Sequence, residues 1–209
     1  MIVPRSLFRC GFAIESIAQA IDAFFSETLT SSGLIAESSG YKQLCGILDV
    51  GYRTTDFLIF ENGQFIGEKE ELSEDSGIRS ILEKLQSYVK KKFDNEHLEF
   101  LEPVLRGEAF VFRGQEHDLS EFVAHLIAEH IHKRIEPEVL KRWEGRINRM
   151  HKIIICGGGA YFFKEPNEFL MLHKKQILIP KEPEMANAIG FYRYGVMQDA
   201  LEKFKAKTG

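Results

Sequence analysis

The sequence predicts an α/β fold in which a mixed central sheet is flanked by helices. Two short apolar runs, at residues 44–50 and 152–156, have the length and composition of strands buried on both faces. Between and around the strands lie segments with apolar residues three and four positions apart, which is the spacing of amphipathic helices. The predicted order of elements, β-α-βββ-α-α-β-α-β-α, is therefore typical of a sheet covered by helices.

Composition indicates an ordinary water-soluble globule that is long enough to bury a sizeable core. The chain has 209 residues, of which 44% are hydrophobic and 28% charged. A formal net charge of -4 argues against a broad surface for non-specific DNA binding. Cys10, Cys45 and Cys156 lack CxxC spacing, which favours free thiols in a reducing cytoplasm. No apolar run approaches the roughly 20 residues that would cross a membrane.

The first half of the chain predicts four strands and two helices. Asn62 and Gly63 form the dipeptide that most strongly favours a tight hairpin between two strands. A Ser-, Gly- and Thr-rich loop, residues 30–40, ends the first helix. The predicted strands are Leu7–Ile14, Leu44–Val50, Thr55–Phe60 and Phe65–Leu72, and the predicted helices are Ile14–Leu29 and Ser76–Phe93.

The second half predicts an irregular stretch followed by helices and two short strands. Residues 94–117 are a candidate small inserted subdomain, with a short hairpin around Phe110–Phe112. Asp118 and Ser120 are candidate caps for a long helix that breaks at Pro137. The remaining predicted elements are helices Leu119–Ile135 and Glu184–Lys205, a resumed helical stretch to Trp143, and strands Lys152–Cys156 and Gln176–Ile179.

The first motif that can carry chemistry is the turn after the strand that ends at Asp49. Gly51 lets the backbone approach an anion closely, because it has no Cβ. The following N–H groups, and the hydroxyls of Thr54 and Thr55, can donate to phosphate oxygens. Phosphate would repel Asp49, so its natural role is to hold Mg²⁺ or the waters of that ion. An ordinary hairpin turn with a capping aspartate remains the alternative.

The second motif is the run Gly157-Gly158-Gly159-Ala160 after the strand that ends at Cys156. Glycines at the carboxyl end of a strand, opening a helix, make a loop against which a flat ring or sugar can lie. The GxGxxG fingerprint and the P-loop lysine signature are both absent from the sequence. A tight strand-to-helix turn without a ligand is the alternative.

A third segment, Ile179–Gly190, contains the end of a predicted strand and the start of the next helix. Pro180 and Pro183 follow the strand, and the helix begins with several small residues. Ala186, Ala188 and Gly190 would let this helix pass close to a neighbouring segment. For each residue taken singly, a simple packing role is the alternative.

Taken in order, the three segments resemble the second half of the superfamily that contains actin, hexokinase and the heat-shock chaperone ATPases. Asp49–Asp56 is similar to its second phosphate motif, Ile155–Ala160 to its adenosine motif and Glu184–Gly190 to its second interdomain connector. The group it most resembles contains the ParM-type plasmid-segregation filaments. The resemblance implies a ribonuclease H-like, actin-type ATPase domain over residues 1–209.

The resemblance also implies the ligands and roles of individual residues. ATP or ADP would bind with Mg²⁺, the metal lying at Asp49. The nucleotide-binding residues would be Gly51, Tyr52, Arg53, Thr54, Thr55, Gly157, Gly158, Gly159 and Ala160. Glu15 would act with Asp49 in catalysis by orienting the attacking water, with Gln19 as the alternative. An exposed acid that favours the helix dipole is the other interpretation of Glu15. Tyr52 and Arg53 replace the small Gly-containing pair that is usual in the phosphate turn.

The departure from the superfamily pattern is that the first phosphate motif and the rest of the first domain are absent. We therefore expect one half of a cytoplasmic actin-like ATPase, weak or inactive by itself, that drives nucleotide-dependent filament assembly in plasmid segregation or a bacterial cytoskeleton. Self-association, or a partner carrying the first domain, is expected; contact with DNA would pass through an adaptor. The alternatives are a kinase or phosphatase fragment of the same fold and a non-catalytic interaction module.

Two further patterns are interpreted as solvated helix faces. His125, Glu129 and His132 share one helical face but lack the spacing of a known zinc motif. Lys90, Lys91 and Lys92 end a predicted helix, where cations suit the helix dipole.

Overall fold

A computed structural model describes residues 14–36, 40–66, 73–93, 101–164 and 168–208. Its centre is a six-stranded mixed sheet in the order β3-β2-β1-β7-β8, with β4 also paired to β2. The strands are β1 (Cys45–Val50), β2 (Thr55–Glu61), β3 (Gln64–Phe65), β4 (Ser73–Glu74), β7 (Lys152–Cys156) and β8 (Ile177–Leu178). A separate hairpin consists of β5 (Phe110–Phe112) and β6 (Gln115–His117).

Seven α-helices are described around these strands. They are α1 (Ile14–Thr28), α2 (Arg79–Phe93), α3 (Leu101–Leu105), α4 (Ser120–His130), α5 (Glu136–Trp143), α6 (Glu168–His173) and α7 (Ala186–Thr208). Short 3₁₀ helices occupy Glu144–Arg149, Ala160–Lys164 and Pro183–Met185. None of the helices in the described ranges is long and apolar enough to span a membrane.

The central strand β1 joins the antiparallel and parallel parts of the sheet. It pairs with β2 antiparallel and with β7 parallel, and all six of its residues are buried. Burial on both faces explains why its sequence is nearly continuously apolar. The Asn62-Gly63 turn between β2 and β3 has positive φ angles of 53° and 72°, as a two-residue type I′ hairpin requires. The predicted hairpin is therefore confirmed.

Alternate residues of the strands enter two separate cores. Leu48, Val50 and Ile155 face the larger core, which is completed by α2, α3, α4 and α5. Ile47, Ile154 and Cys156 face the smaller core, which is completed by α1 and α7. The helices on both faces confirm the predicted architecture. Residues 101–117 contribute Leu101, Val104, Leu105 and Phe110 to the larger core.

The predicted break at Pro137 is wrong. Helix α4 continues through a π-helix, Ile131–Ile135, directly into α5, and Pro137 is accommodated in the first turn of α5. Proline is tolerated at the start of a helix because its missing N–H has no partner to lose there. The π turn shifts the hydrogen-bonding pattern just before the proline, so the chain stays helical through it.

Other boundaries differ from the sequence predictions. Strand β3 is only Gln64–Phe65, shorter than the predicted Phe65–Leu72, and residues 67–72 lie outside the described part. The predicted strand Leu7–Ile14 also lies outside it, except for Ile14, which begins α1. Neither candidate cap is the N-cap of α4, which is Leu119 and has no side-chain cap bond. Asp118 precedes it and accepts the Ser120 N–H at 2.8 Å, and Ser120 is the first residue of the helix.

Candidate nucleotide site

The two glycine-bearing turns lie side by side at one edge of the sheet. β1 and β7 are parallel neighbours, and Asp49 lies opposite Cys156 in their register. The carboxyl ends of both strands therefore reach the same edge, which in open α/β sheets is where ligands bind. The two glycine-bearing motifs, which are more than 100 residues apart in the sequence, are therefore neighbours in space.

The turn after β1, residues 51–54, is held through its carbonyl groups by the start of α2. Gly77, Ile78 and Arg79 donate N–H groups to the carbonyls of Arg53, Gly51 and Tyr52, at 2.8, 3.1 and 2.8 Å respectively. A Cβ on Gly77 would lie 2.5 Å from the backbone of Arg53 and Tyr52, so only glycine permits this contact. The carbonyl side of the turn is therefore fixed by hydrogen bonds to residues 77–79.

The other side of the turn presents donors. Among the described residues, the N–H groups of Tyr52, Arg53 and Thr54 make no backbone hydrogen bond. All three residues are exposed, and the Tyr52 side chain is 56% exposed. Successive unpartnered N–H groups in a turn form a concavity that suits an anion.

Thr55 is placed differently from its neighbours, and the prediction that its hydroxyl donates to phosphate is not supported. Its side chain is fully buried and its Oγ1 donates to the Ser76 carbonyl at 3.0 Å. Thr55 therefore joins β2 to the segment before α2, and the exposed Thr54 is the threonine whose hydroxyl remains available.

The loop after β7 packs tightly against β1 at its outer glycines and is open at its centre. Gly157 has a φ of +82°, and a Cβ there would lie 2.3 Å from Asp49 Oδ1. Gly159 donates its N–H to the Val50 carbonyl at 2.8 Å, and a Cβ would collide with the Val50 side chain. At Gly158, in contrast, a Cβ would meet no described atom within 4 Å. Gly158 therefore leaves room for a flat group above the loop, and Ala160 begins the 3₁₀ helix behind it.

Asp49 lies at the floor between the two turns, 8% exposed. Its Oδ2 accepts a hydrogen bond from Asn187 Nδ2 at 2.9 Å. Burial raises the pKa of the Asp49 carboxyl, and hydrogen bonds from Asn187 and Cys156 lower it by less. The ionised carboxylate is thus held in a site that disfavours its charge, and a nearby cation would relieve that cost.

Asn187 was not singled out from the sequence, although it lies within the third segment. Its Oδ1 is buried and has no hydrogen-bond partner among the described residues. A buried amide oxygen without a donor is uncommon, since most such groups are satisfied. Asp49 and Asn187 therefore form a hydrogen-bonded pair that contains one buried carboxyl group and one unsatisfied amide oxygen. The signal in the sequence was the asparagine itself, the one polar residue among Ala186, Ala188 and Ile189.

Glu15 and Gln19 lie in the first turns of α1, and their side chains are outside the described part. Helices α1 and α7 run alongside each other in the same direction. Gly190 contacts the Asp22 carbonyl, and Arg193 donates to carbonyls further along α1. The amino-terminal end of α1 is therefore the end nearer to the start of α7.

A polar contact at the rim of the site was also missed from the sequence. The Tyr161 hydroxyl donates to Glu184 at 2.5 Å and so links the loop after β7 to the segment before α7. Arg106, at the end of α3, lies over the Tyr161 ring with 5.9 Å between its guanidinium carbon and the ring centroid. These three residues are far apart in sequence, so no local pattern could reveal their contact.

Comparison with solved structures identifies the fold. The archaeal actin homologue Ta0583 superposes with a TM-score of 0.70 at 20% identity, covering 87% of this chain and 54% of that one. Its complex with ADP superposes with a TM-score of 0.61 at 22% identity, covering 78% and 50%. The actin-like protein Alp7A gives a TM-score of 0.71 at 13% identity, covering 90% and 54%. A 15-stranded ParM filament from Clostridium botulinum gives 0.60 at 24% identity, covering 85% and 51%.

The chain thus has an actin-like fold and spans about half the length of these proteins. A search of curated protein sequences finds no match. A family model described as the C-terminal part of MreB-like archaeal actin homologues matches residues 47–167, more than half of the chain, from within β1 to beyond the loop after β7. The chain therefore belongs to the family of archaeal MreB-like actin homologues and matches its C-terminal part.

Proposed function

We propose that this chain is the nucleotide-gripping half of an actin-like ATPase that binds ATP or ADP with Mg²⁺. The observation that carries the proposal is the pairing of two glycine-bearing turns at one sheet edge, with Asp49 and the unsatisfied Asn187 oxygen on the floor between them. A structure of one fold neighbour, the archaeal homologue Ta0583, contains ADP.

Each part of the nucleotide has residues suited to it. The N–H groups of Tyr52, Arg53 and Thr54, with the Arg53 guanidinium, would hold phosphate oxygens. The open space at Gly158, between Gly157 and Gly159, would accommodate the adenosine. Ala160 begins the 3₁₀ helix that backs this loop.

Asp49 would hold the hydrated Mg²⁺, and the Asn187 oxygen would accept a hydrogen bond from one of its waters. When bound, the metal supplies charge neutralisation on the phosphates. Glu15, on the helix that begins beside the start of α7, would orient the attacking water, with Gln19 as the alternative.

Nucleotide-dependent filament assembly is the biological role we assign to the complete protein, in DNA segregation or as a cytoskeleton. Its support is that the fold neighbours include a ParM filament and an Alp12 filament. Because this chain spans about half of those proteins, assembly would need self-association together with the first domain, supplied in the same chain or by a partner.

Calorimetric titration with ADP, with and without Mg²⁺, tests the binding proposal. We expect Asp49→Asn to weaken Mg·ADP binding about tenfold, a difference of about 1.4 kcal/mol, while binding without Mg²⁺ changes little. Gly158→Val should weaken both, because its side chain fills the space above the loop. Gly195→Val is the matched control, since a Cβ at this exposed glycine of α7 also meets no described atom within 4 Å.

Equal affinity in wild type, Asp49→Asn and Gly158→Val would contradict the proposal. Sedimentation and phosphate release, measured with ATP in the presence of the first domain, test assembly and hydrolysis separately. Nucleotide binding without either of these would favour the non-catalytic interaction module.

A further inference from the structure

The segment that holds the phosphate turn is itself held by a buried histidine. Gly77, Ile78 and Arg79 fix the carbonyl side of the turn at residues 51–54, and Ser76 comes directly before them. The Ser76 carbonyl accepts two side-chain hydrogen bonds, from Thr55 Oγ1 at 3.0 Å and from His130 Nε2 at 2.8 Å.

The contacts of His130 determine its tautomer. A carbonyl oxygen can only accept, so Nε2 carries the hydrogen that bonds to Ser76. The other nitrogen, Nδ1, lies 3.2 Å from Ser80 Oγ in the first turn of α2. His130 therefore bridges the residue before the Gly77–Arg79 segment to the residue after it.

Charge and burial keep this imidazole neutral. His130 is 7% exposed, and burial is the main cause that lowers its pKa, although its bond to the Ser76 backbone acts in the opposite direction. The positive charges of Lys84 on α2 and Arg134 in the π-helix lower the pKa further. A neutral ring leaves Nδ1 as an acceptor. The single hydrogen of the Ser80 hydroxyl lies within reach of two acceptors, Nδ1 and the Gly77 carbonyl, each 3.2 Å from Oγ, so Ser80 links His130 to the segment that holds the turn.

The helix around His130 is also unusual. His130 is the last residue of α4, and the π-helix Ile131–Ile135 follows at once. An α-helix advances about 100° per residue, so a row of residues four apart drifts around its surface. The wider π turn corrects this drift for the buried row at Val123, Ile127, Ile131, Ile135, Val139 and Trp143. The helix can therefore direct His130 toward α2 and still bury α5 in the larger core.

We propose that His130 is a positioning residue for nucleotide binding. It acts through Ser76 and Ser80 to hold the Gly77–Arg79 segment, and so keeps the donors of Tyr52 and Arg53 turned toward the phosphates. This inference rests on the proposed function, because the ligand of the turn is the phosphate assigned there. His130 touches no part of the nucleotide itself.

Three variants separate positioning from general packing. His130→Phe keeps the ring and removes both hydrogen bonds, whereas His130→Gln keeps an N–H donor near the position of Nε2. His132→Phe is the matched control, because His132 lies two residues away with a side chain that is 71% exposed and bonded only to Glu136 among the described residues.

Amide hydrogen exchange by NMR gives the first readout, without nucleotide. Losing one buried hydrogen bond typically costs about 1 kcal/mol, so exchange at Gly77, Ile78 and Arg79 should rise about five- to tenfold in His130→Phe. Exchange at Ile154, in the centre of the sheet, should change much less. In His130→Gln the exchange rates of these three amides should stay within about threefold of wild type, and in His132→Phe they should equal those of wild type.

ADP titration of the same proteins gives the second readout, and the two together distinguish the possible failures. We expect affinity to fall about tenfold in His130→Phe and to be largely restored in His130→Gln. Wild type that does not bind ADP would overturn the proposed function. Wild type that binds, with His130→Phe folded and equal in affinity and exchange, would overturn only the role of His130. If His130→Phe does not fold, Ser80→Ala takes its place, because it removes the contact to Nδ1. Exchange at Gly77–Arg79 and ADP affinity equal to wild type in Ser80→Ala would then overturn the role of His130.

Discussion

The two faces of the central sheet are built differently. The face that meets α2–α5 buries a long continuous set of apolar side chains, from Leu48 and Val50 through Leu85 to Trp143. The face that meets α1 and α7 has a smaller apolar core and carries polar groups at its edges, among them Asp22, Asp49 and Arg193. We infer that the face covered by α2–α5 supplies most of the free energy of unfolding. The face covered by α1 and α7 is less stabilising, because it buries polar groups.

The polar face is held together by close backbone contact as well as by apolar burial. Gly190 of α7 lies against the Asp22 carbonyl of α1, closer than any side chain would permit. Arg193 donates to the carbonyls of Ser26 and Leu29 at the end of α1, and the rings of Phe25 and Tyr194 stack with centroids 4.6 Å apart. Helices α1 and α7 therefore form a tightly joined pair next to the proposed nucleotide site.

The largest effect is expected on the apolar face. Trp143→Ala should lower the free energy of unfolding by about 4 kcal/mol, because truncating a fully buried tryptophan loses its transfer free energy and leaves a cavity. Urea unfolding followed by circular dichroism measures this. Leu140→Ala, one turn earlier and 59% exposed, should change stability by less than about 0.5 kcal/mol. A loss below about 1 kcal/mol for Trp143→Ala would undermine the assignment of stability to this face.

A single methyl group tests the close contact on the polar face. Gly190→Ala should cost about 2–3 kcal/mol, because the added Cβ would lie 1.6 Å from the Asp22 carbonyl oxygen and the helices must separate. Gly195→Ala, five residues later on the same helix, has open space and should stabilise by about 0.5–1 kcal/mol through helix propensity. The same urea titration compares them; two variants of equal stability would contradict the close packing of α1 on α7.

Asp22 tests whether the polar face carries a cost. Burial raises its pKa from 3.8 to about 6, so the folded chain binds this proton more tightly than the unfolded chain. Its contribution to stability is therefore greatest below about pH 4, falls between pH 4 and 6, and is a constant penalty above pH 6. Because the group is about half solvated, screening reduces that penalty, and Asp22→Asn should gain about 1 kcal/mol at pH 7.5. Unfolding at pH 4 and 7.5 measures the gain, which should nearly vanish at pH 4; exposed Asp199→Asn is the control.

Much of the fold could be predicted from local patterns. Strands β1 and β7 were identified because burial on both faces requires uninterrupted apolar residues, and the Asn62-Gly63 hairpin was identified because few residues adopt two consecutive positive φ angles. The π-helix could not be predicted in the same way, since Pro137 marks a break locally while the core on the sheet decides that the helix continues. The signal in the sequence is the four-residue spacing of apolar residues from Val123 to Trp143, which continues past Pro137.

The site shows the same division between local and distant determinants. Asp49 and the flanking glycines could be selected from the sequence because a strand that ends in an acid and a glycine is a recognisable local pattern. The commitment of the Thr55 hydroxyl to Ser76, and the contacts of His130 and Asn187, depend on residues 21 to 138 positions away. Hydrogen bonds over such separations leave no periodic signal, so the sequence could place these residues in elements but could not assign their partners.

The smallest effect is expected for Arg193→Lys, which refines the comparison at the end of α1. The guanidinium of Arg193 donates to two carbonyls, those of Ser26 and Leu29. A lysine ammonium lacks the planar guanidinium group, so we expect it to bond to one of them. The positive charge near the helix carboxyl end, which suits the helix dipole, is kept. We therefore expect a loss of about 0.5 kcal/mol in urea, and about twice that for Arg193→Met, which also removes the charge. Equal losses for lysine and methionine would mean that the fork geometry, and not the charge, joins α7 to α1.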